Sequence, residues 1–289
     1  MKQRLLLLIF AAISLSPAQA KEIKPDRMLL YKSVEDVELK LHVFDPEGLE
    51  ATDKRPAVVF FFGGGWASGS PSQFYQQARD LAALGMVTFS AEYRVKNRNK
   101  STPFESVKDG KSAIRWVREH TAELGVDPER IVAAGGSAGG HIAICTGVIE
   151  GMDEEGENLE ISSVPDLMIA FNPVLDTTAE GYGSKLFTPE QQTLISPAHH
   201  VRAGLAPTML FHGTKDKTVP FENAVRFTKL MTEAGNECEL LPFEGRGHGF
   251  FNGSGYRAKN DDVDYDAIMA QNLKFLAGHG YLKDGKAVY

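Results

Sequence analysis

Apolar residues in this chain fall into runs of two kinds that take turns along it. Val37 to Phe44 alternates polar and apolar positions, the period of a strand with one face buried, and predicts an antiparallel strand opening a sheet. "AVVFFF" (Ala57 to Phe62) is apolar throughout, which suits a strand buried on both faces. Ser72 to Leu84 predicts a helix, and the strand "MVTFSA" follows. Thr102-Pro-Phe-Glu105 is a capping box with proline at the first helical position. The helix it opens carries Val107, Ile114, Val117 and Leu124 on or near one face and stops at Gly125. "RIVAAGG" (Arg130 to Gly136) predicts a strand, and Ala138 to Ile149 a helix. "DLMIAFNP" and "TMLFHGT" predict two more buried strands. Phe221 to Ala234 is then a helix, "ECELLPF" a strand, and Asp264 to Ala277 a closing helix. Such alternation predicts an α/β fold, a mostly parallel twisted sheet with helices on both faces. No repeat, low-complexity tract or linker divides the chain, so residues 21–289 read as a single domain. Residues 150–165 and 177–206 lack either period and read as loops or a small lid.

Composition changes this picture little, since 43% apolar and 24% charged residues are ordinary for a globular chain. The first twenty residues are different. Lys2 and Arg4 precede an apolar stretch from Leu5 to Leu15, and Ala18-Gln19-Ala20 resembles a cleavage site. These are the parts of a secretory signal, and the stretch is too short for a spanning anchor. A secreted or periplasmic location is expected, with the mature chain beginning at Lys21 and no stable membrane insertion after cleavage. The formal charge is −7, and loss of Lys2 and Arg4 makes the mature chain more acidic still. Without a basic stripe, nucleic-acid binding is excluded as a reading. The acidic run "MDEEGENLE" (152–160) reads as a solvated loop. Cys145 and Cys238 fall in different core elements, so no bridge is expected. Neither has metal-ligand company, and no metal or cofactor is expected. Oligomeric state is not legible.

The strongest chemical signal is "AAGGSAGGHIA". Gly135-Gly136-Ser137-Ala138-Gly139 matches G-x-S-x-G between a predicted strand and a predicted helix. In that context the serine sits on a sharp, strained turn with its oxygen exposed above the sheet, at a helix N-terminus that favours negative charge. A serine hydroxyl needs a base, and the base an orienting acid. "FHGTKDKTVP" places Asp216 beyond one buried strand and "FEGRGHGFF" places His248 beyond the last. Asp176, after "FNPVL", is the alternative acid. His199, His200 and His212 are the other histidines near strand or loop ends, whereas His120 and His141 read as packing or surface positions. "FFFGGGW" (60–66) ends an apolar strand in three glycines. Attack on an ester carbonyl creates an oxyanion, which needs backbone N–H donors aimed at one point with no side chain in the way. Gly64 and Gly65 are the candidate donors on that side, and Ala138, just after the serine, is the third. Trp66, Tyr182, Phe250 and Phe251 are candidate substrate-pocket residues, with core packing the competing reading for each.

These stretches, with "AEYRV" and "AIRWVREHTAELGVDPERIVAAGGSAGGHIA", resemble the α/β-hydrolase-fold esterases from about Leu39 to Leu276. The nearest in kind are the carboxylesterases similar to hormone-sensitive lipase and the bacterial carbohydrate acetyl esterases. The resemblance implies the α/β-hydrolase fold and a Ser137, Asp216, His248 triad. Two departures stand out. The family's loop usually has histidine before its glycines, thought to brace the loop, where this chain has Phe62. The lipase-like members also carry a long N-terminal cap, which Lys21 to Val37 is too short to build. An uncapped site favours bulky or polymeric alcohols over long lipid chains. The first reading is therefore a secreted carboxylic-ester hydrolase acting on short acyl esters, such as acetylated carbohydrate. A serine peptidase of the same fold would want a gating domain or a clear amine-recognition site, and neither is read in these residues, so that reading ranks below the first. A non-catalytic binding protein of this fold usually lacks a triad member, and none is missing here.

Overall fold

The computed structural model describes residues 22–289. The expected signal, residues 1–20, lies outside the described residues. One sheet of eight strands organises the described chain, in spatial order β1-β2-β4-β3-β5-β6-β7-β8. The strands are β1 (Arg27–Val34), β2 (Val37–Phe44), β3 (Arg55–Phe61), β4 (Val87–Ala91), β5 (Val126–Gly136), β6 (Leu167–Phe171), β7 (Thr208–Gly213) and β8 (Cys238–Phe243). β2 pairs antiparallel with β1 and with β4, and every pairing from β4 to β8 is parallel. All seven residues of β3 are buried, and from Ala57 to Phe61 they form the unbroken apolar run that suits a central strand.

The helices between the strands are α1 (Tyr75–Ala83), α2 (Lys96–Asn99), α3 (Pro103–Glu119), α4 (Thr121–Leu124), α5 (Ala138–Val148), α6 (Phe221–Glu233) and α7 (Val263–Gly278). The two faces of the sheet bury different sets. Met168, Ala170 and Leu210 pack with Ile144, Cys145 and Val148 of α5 and with Ala224, Phe227 and Met231 of α6. Their alternating neighbours Ile169, Phe171, Met209 and Phe211 pack with Ala78 of α1 and with Tyr265, Ile268 and Phe275 of α7. The period of two along a strand thus divides the core between two helical layers.

Thr102 forms the expected capping box with Glu105 and opens α3. The helix does not run unbroken to Gly125. It ends at Glu119, turns at His120 and resumes as α4, which Gly125 closes in the left-handed region. Residues 150–165 and 177–206 hold no α-helix or strand. No described helix is long and apolar enough to cross a membrane. Cys145 and Cys238 are both free thiols.

Two expectations are corrected. Val37 to Phe44 does not open the sheet, because β1 precedes it and pairs with it at the sheet edge. The acidic run at 152–160 is a solvated loop only in part, because 155, 156 and 158–160 are exposed while Asp153, Glu154 and Glu157 are held by ion pairs. Glu154 lies 2.7 Å from Lys32 and 2.5 Å from Arg94, and Asp153 lies 2.6 Å from Arg115. Lys32 and Arg94 also hold the fully buried Asp109, each at 2.7 Å. Burial alone would raise the Glu154 carboxyl, but Lys32 and Arg94 outweigh it and bring it down to about 2. The run straps onto α3 and β1 by charge, because those elements present cations that need counter-ions.

Candidate active site

Ser137 stands between β5 and α5 with φ 56° and ψ −121°, outside the regions an ordinary residue adopts. Its glycine neighbours make the turn possible. A methyl at Gly139 would collide with the carbonyl oxygens of Phe61 and Phe62, and one at Gly135 with the carbonyl of Gly139. Helix α5 therefore starts hard against the ends of β3 and β5, and the serine projects from the gap.

Two loops at the same end of the sheet reach that serine. His248, five residues past β8, has Nε2 2.9 Å from Ser137 Oγ. Its Nδ1 lies 2.7 Å from Asp216 Oδ2. Asp216, just beyond β7, is fully enclosed. Its Oδ1 accepts from the N–H groups of Thr218 (2.8 Å) and Val219 (3.0 Å). Burial would raise this carboxyl, but hydrogen bonds from His212, His248 and these two amides prevail and hold it well below the usual carboxylate range. Asp216 is thus held in its carboxylate form.

The other titratable candidates lie elsewhere. Asp176 pairs with Arg226 at 2.6 Å and bonds the Thr178 amide at 2.8 Å. His199 meets Ser196 Oγ, and His200 the Thr193 carbonyl. His141 is buried beneath the elbow with Nε2 on the Ile195 carbonyl, and burial lowers its imidazole to about 4. His212 has a place that sequence reasoning missed. It is fully buried, with Nε2 3.1 Å from the Val219 carbonyl and 3.3 Å from Asp216, and it props the acid from behind.

The glycine loop runs beside the serine, for a methyl at Gly63 would touch Ser137 Cβ at 3.2 Å. Gly64 has φ +131°, and a methyl there would strike the Ser68 carbonyl, so only glycine fits. The N–H groups of Gly64, Gly65 and Ala138 have no acceptor among the described residues. The Gly63 N–H is used differently: it donates to Gln73 Oε1 at 2.6 Å. Gln73 Nε2 donates to Asn252 Oδ1 at 2.9 Å, and Asn252 Nδ2 to the Gly249 carbonyl at 2.8 Å. This buried relay ties the glycine loop to the residue next to His248. In this chain the relay, and no histidine at position 62, holds the loop from that side. Phe62 instead stacks on Tyr93, whose hydroxyl donates to the Phe62 carbonyl at 2.6 Å.

With this geometry established, the comparisons are informative. The BD-FAE profile matches residues 41–185, half of the chain. The chain belongs to the BD-FAE family, among the α/β-hydrolase-fold esterases. A dienelactone hydrolase family profile covers residues 166–277. The apo form of Thermogutta terrifontis esterase 2 is similar at 46% identity over 91% of this chain and 97% of that one, with a TM-score of 0.85. Its propionate-bound form gives 45%, 89%, 95% and 0.82 for the same quantities. Esterase LipC of Mycobacterium tuberculosis is 28% identical over 69% of this chain and 54% of its own length. A probable isoprenylcysteine alpha-carbonyl methylesterase of Arabidopsis thaliana is 28% identical over 68% and 46%. The chain spans about half the length of these two curated relatives.

The cavity of this family member above Ser137 measures about 350 Å³. Its walls are mostly small or polar: Gly63 to Gly65, Ser68, Gln73, Thr218 and Asn252, with Tyr182, Phe251 and Tyr256. Two of the expected pocket residues are absent. Trp66 is 1% exposed and packs against His141, Tyr182 and Phe187, because its backbone turns it inward at φ 58°. Phe250 packs at a tilt against Phe243 and lines a neighbouring depression. Tyr182 and Phe251 do reach the cavity, though Phe251 chiefly fills the space that a side chain at Gly136 would take. Nothing in the local sequence marked Gln73 or Asn252. A glutamine at the start of a helix is unremarkable until its partner, 179 positions away, is known.

Proposed function

We propose that this chain is a serine carboxylic-ester hydrolase acting on short acyl esters. The observation that carries this reading is the continuous chain Asp216–His248–Ser137, at 2.7 and 2.9 Å, beside three N–H groups that have no acceptor among the described residues. His248 Nε2 accepts the Ser137 proton as Oγ attacks the acyl carbon. Ionised Asp216 accepts from His248 Nδ1–H, fixes the tautomer and stabilises the imidazolium. The N–H groups of Gly64, Gly65 and Ala138 donate to the oxyanion. The alcohol leaves with the proton from His248, and water, deprotonated by the same base, releases the acid and restores Ser137.

Short acids suit the small cavity, and a solved relative carries propionate in one structure and butyrate in another. A secreted or periplasmic enzyme acting on acetylated carbohydrate is the favoured natural setting. The first twenty residues and the polar, glycine-rich walls support it. Hydrolysis of p-nitrophenyl acetate, butyrate and octanoate, with Ser137→Ala as control, tests the reading. Turnover is expected to fall from acetate or butyrate to octanoate. S137A is expected to lose at least about 10⁴-fold in kcat and keep its fold. Wild-type protein inert toward all three esters, or an S137A variant that stays active, refutes it.

A further inference from the structure

Arg257 stands at the rim of the Ser137 cavity with its guanidinium over Gly249, next to His248. A methyl on Gly249 would meet the arginine nitrogens at 3.0 and 3.1 Å. Every other described arginine has a side-chain partner. Ten pair with carboxylates, and Arg98 donates to the Gly69 carbonyl. The Arg257 guanidinium makes no hydrogen bond or ion pair among the described residues. The acids nearest it in sequence are already engaged. Asp262 accepts from the Ser254 amide at 2.5 Å, Asp264 pairs with Arg246 at 2.9 Å, and Asp261 accepts from the Val263 amide at 3.3 Å. No lysine, aspartate, glutamate or second arginine lines the cavity. In a chain of formal charge −7, a lone unpaired cation at the mouth reverses the local field.

The geometry points to Arg257 as a specificity-determining residue that selects esters bearing a carboxylate near the scissile bond. This rests on the ester-hydrolase reading and names its substrate class. An arginine fork matches a carboxylate with two parallel N–H donors. Because Arg257 is exposed, the pairing costs little desolvation and is screened by salt. The carboxylate can sit on the acyl half, as in a dicarboxylate half-ester, or on the alcohol half, as in an acidic sugar.

Two matched pairs separate these sources. Monomethyl glutarate against methyl 4-carbamoylbutyrate places the charge on the acyl side, and 4-acetoxybenzoate against 4-acetoxybenzamide places it on the alcohol side. The readout is the carboxylate-to-amide ratio of kcat/KM in each pair, at low salt. In at least one pair, Arg257→Gln is expected to lower the ratio roughly fivefold, mostly through KM. Arg257→Lys should recover part of the loss, Arg257→Glu should lower the ratio further, and 0.5 M NaCl should shrink every difference. A ratio unchanged by Arg257→Gln in both pairs overturns the proposal. Failure of the hydrolase reading would instead show as no turnover of any ester by the wild type. Selection is then read from calorimetric binding of 4-acetoxybenzoate and monomethyl glutarate to S137A. About fivefold weaker binding of either in the R257Q/S137A protein supports the proposal, and equal binding of both overturns it.

Discussion

Replacing Gln73 by leucine, which is close to it in volume, would remove both halves of the relay at once. The Gly63 N–H would lose its acceptor and Asn252 Oδ1 its donor, both in buried surroundings. Leaving a buried polar group unsatisfied costs roughly 1–3 kcal/mol, so two cost roughly 2–6. At about 2–4 °C per kcal/mol for a domain of this size, Tm should fall by roughly 4–24 °C. The effect on rate has a different origin. One oxyanion donor is worth about 3–4 kcal/mol of transition-state stabilisation, which sets the ceiling for what a misplaced loop can lose. Gly63 precedes the two proposed donors directly, so freeing it would misaim Gly64 and Gly65 rather than delete them. The expected loss in kcat is therefore about 10- to 100-fold, short of full donor loss. KM should hardly move, because the oxyanion exists only in the transition state and beyond. The assay is steady-state hydrolysis of p-nitrophenyl acetate at 25 °C, well below either midpoint, beside a thermal melt. A variant with a lowered Tm but wild-type kcat would show that the relay holds the fold and not the donors. A rise in KM at constant kcat would contradict the argument as well.

Two further substitutions probe the frame around the site. Gly139→Ala forces a methyl against two β3-end carbonyls that cannot rotate away, so it should destabilise by about 3 kcal/mol or more, read from the urea midpoint. Near-wild-type stability would mean that α5 can slide off β3. Glu154→Gln should lower stability by about 1–3 kcal/mol at pH 7. The folded carboxyl lies at about 2, below its unfolded value, so its contribution is complete above the unfolded value and drains away as pH falls toward 2. The gap between wild type and E154Q in urea unfolding should therefore shrink by roughly half or more between pH 7 and pH 3. A gap independent of pH would refute the ion-pair account.

Much of the architecture is local in origin, and so was legible in advance. A strand buried on both faces needs an unbroken apolar run, and Ala57 to Phe61 is one. A capping box is complete within four residues, and Thr102 to Glu105 forms it. The elbow needs glycines at fixed offsets from Ser137, and no other residue type fits between α5 and the end of β3. Strand ends in an α/β chain gather on one edge, so Ser137, Asp216 and His248 could be assigned to a common neighbourhood from their order alone.

What escaped that reading depends on partners far along the chain or on the direction a side chain takes. β1 is an edge strand, half exposed, and its irregular pattern acquires meaning only beside β2. The acidic run looked solvated because its cations sit on β1, on α3 and after β4, brought near only by folding. Trp66 stood next to the glycines in sequence, yet a left-handed backbone turned it into the core. Gln73 and Asn252, and Arg257 without a counter-ion among the described residues, are ordinary polar residues until the closing loop folds back over the glycines. Periodicity and φ preferences are written into neighbouring residues. Which hydrogen bond or charge finds which partner across more than a hundred positions is decided only when the sheet and its loops are assembled.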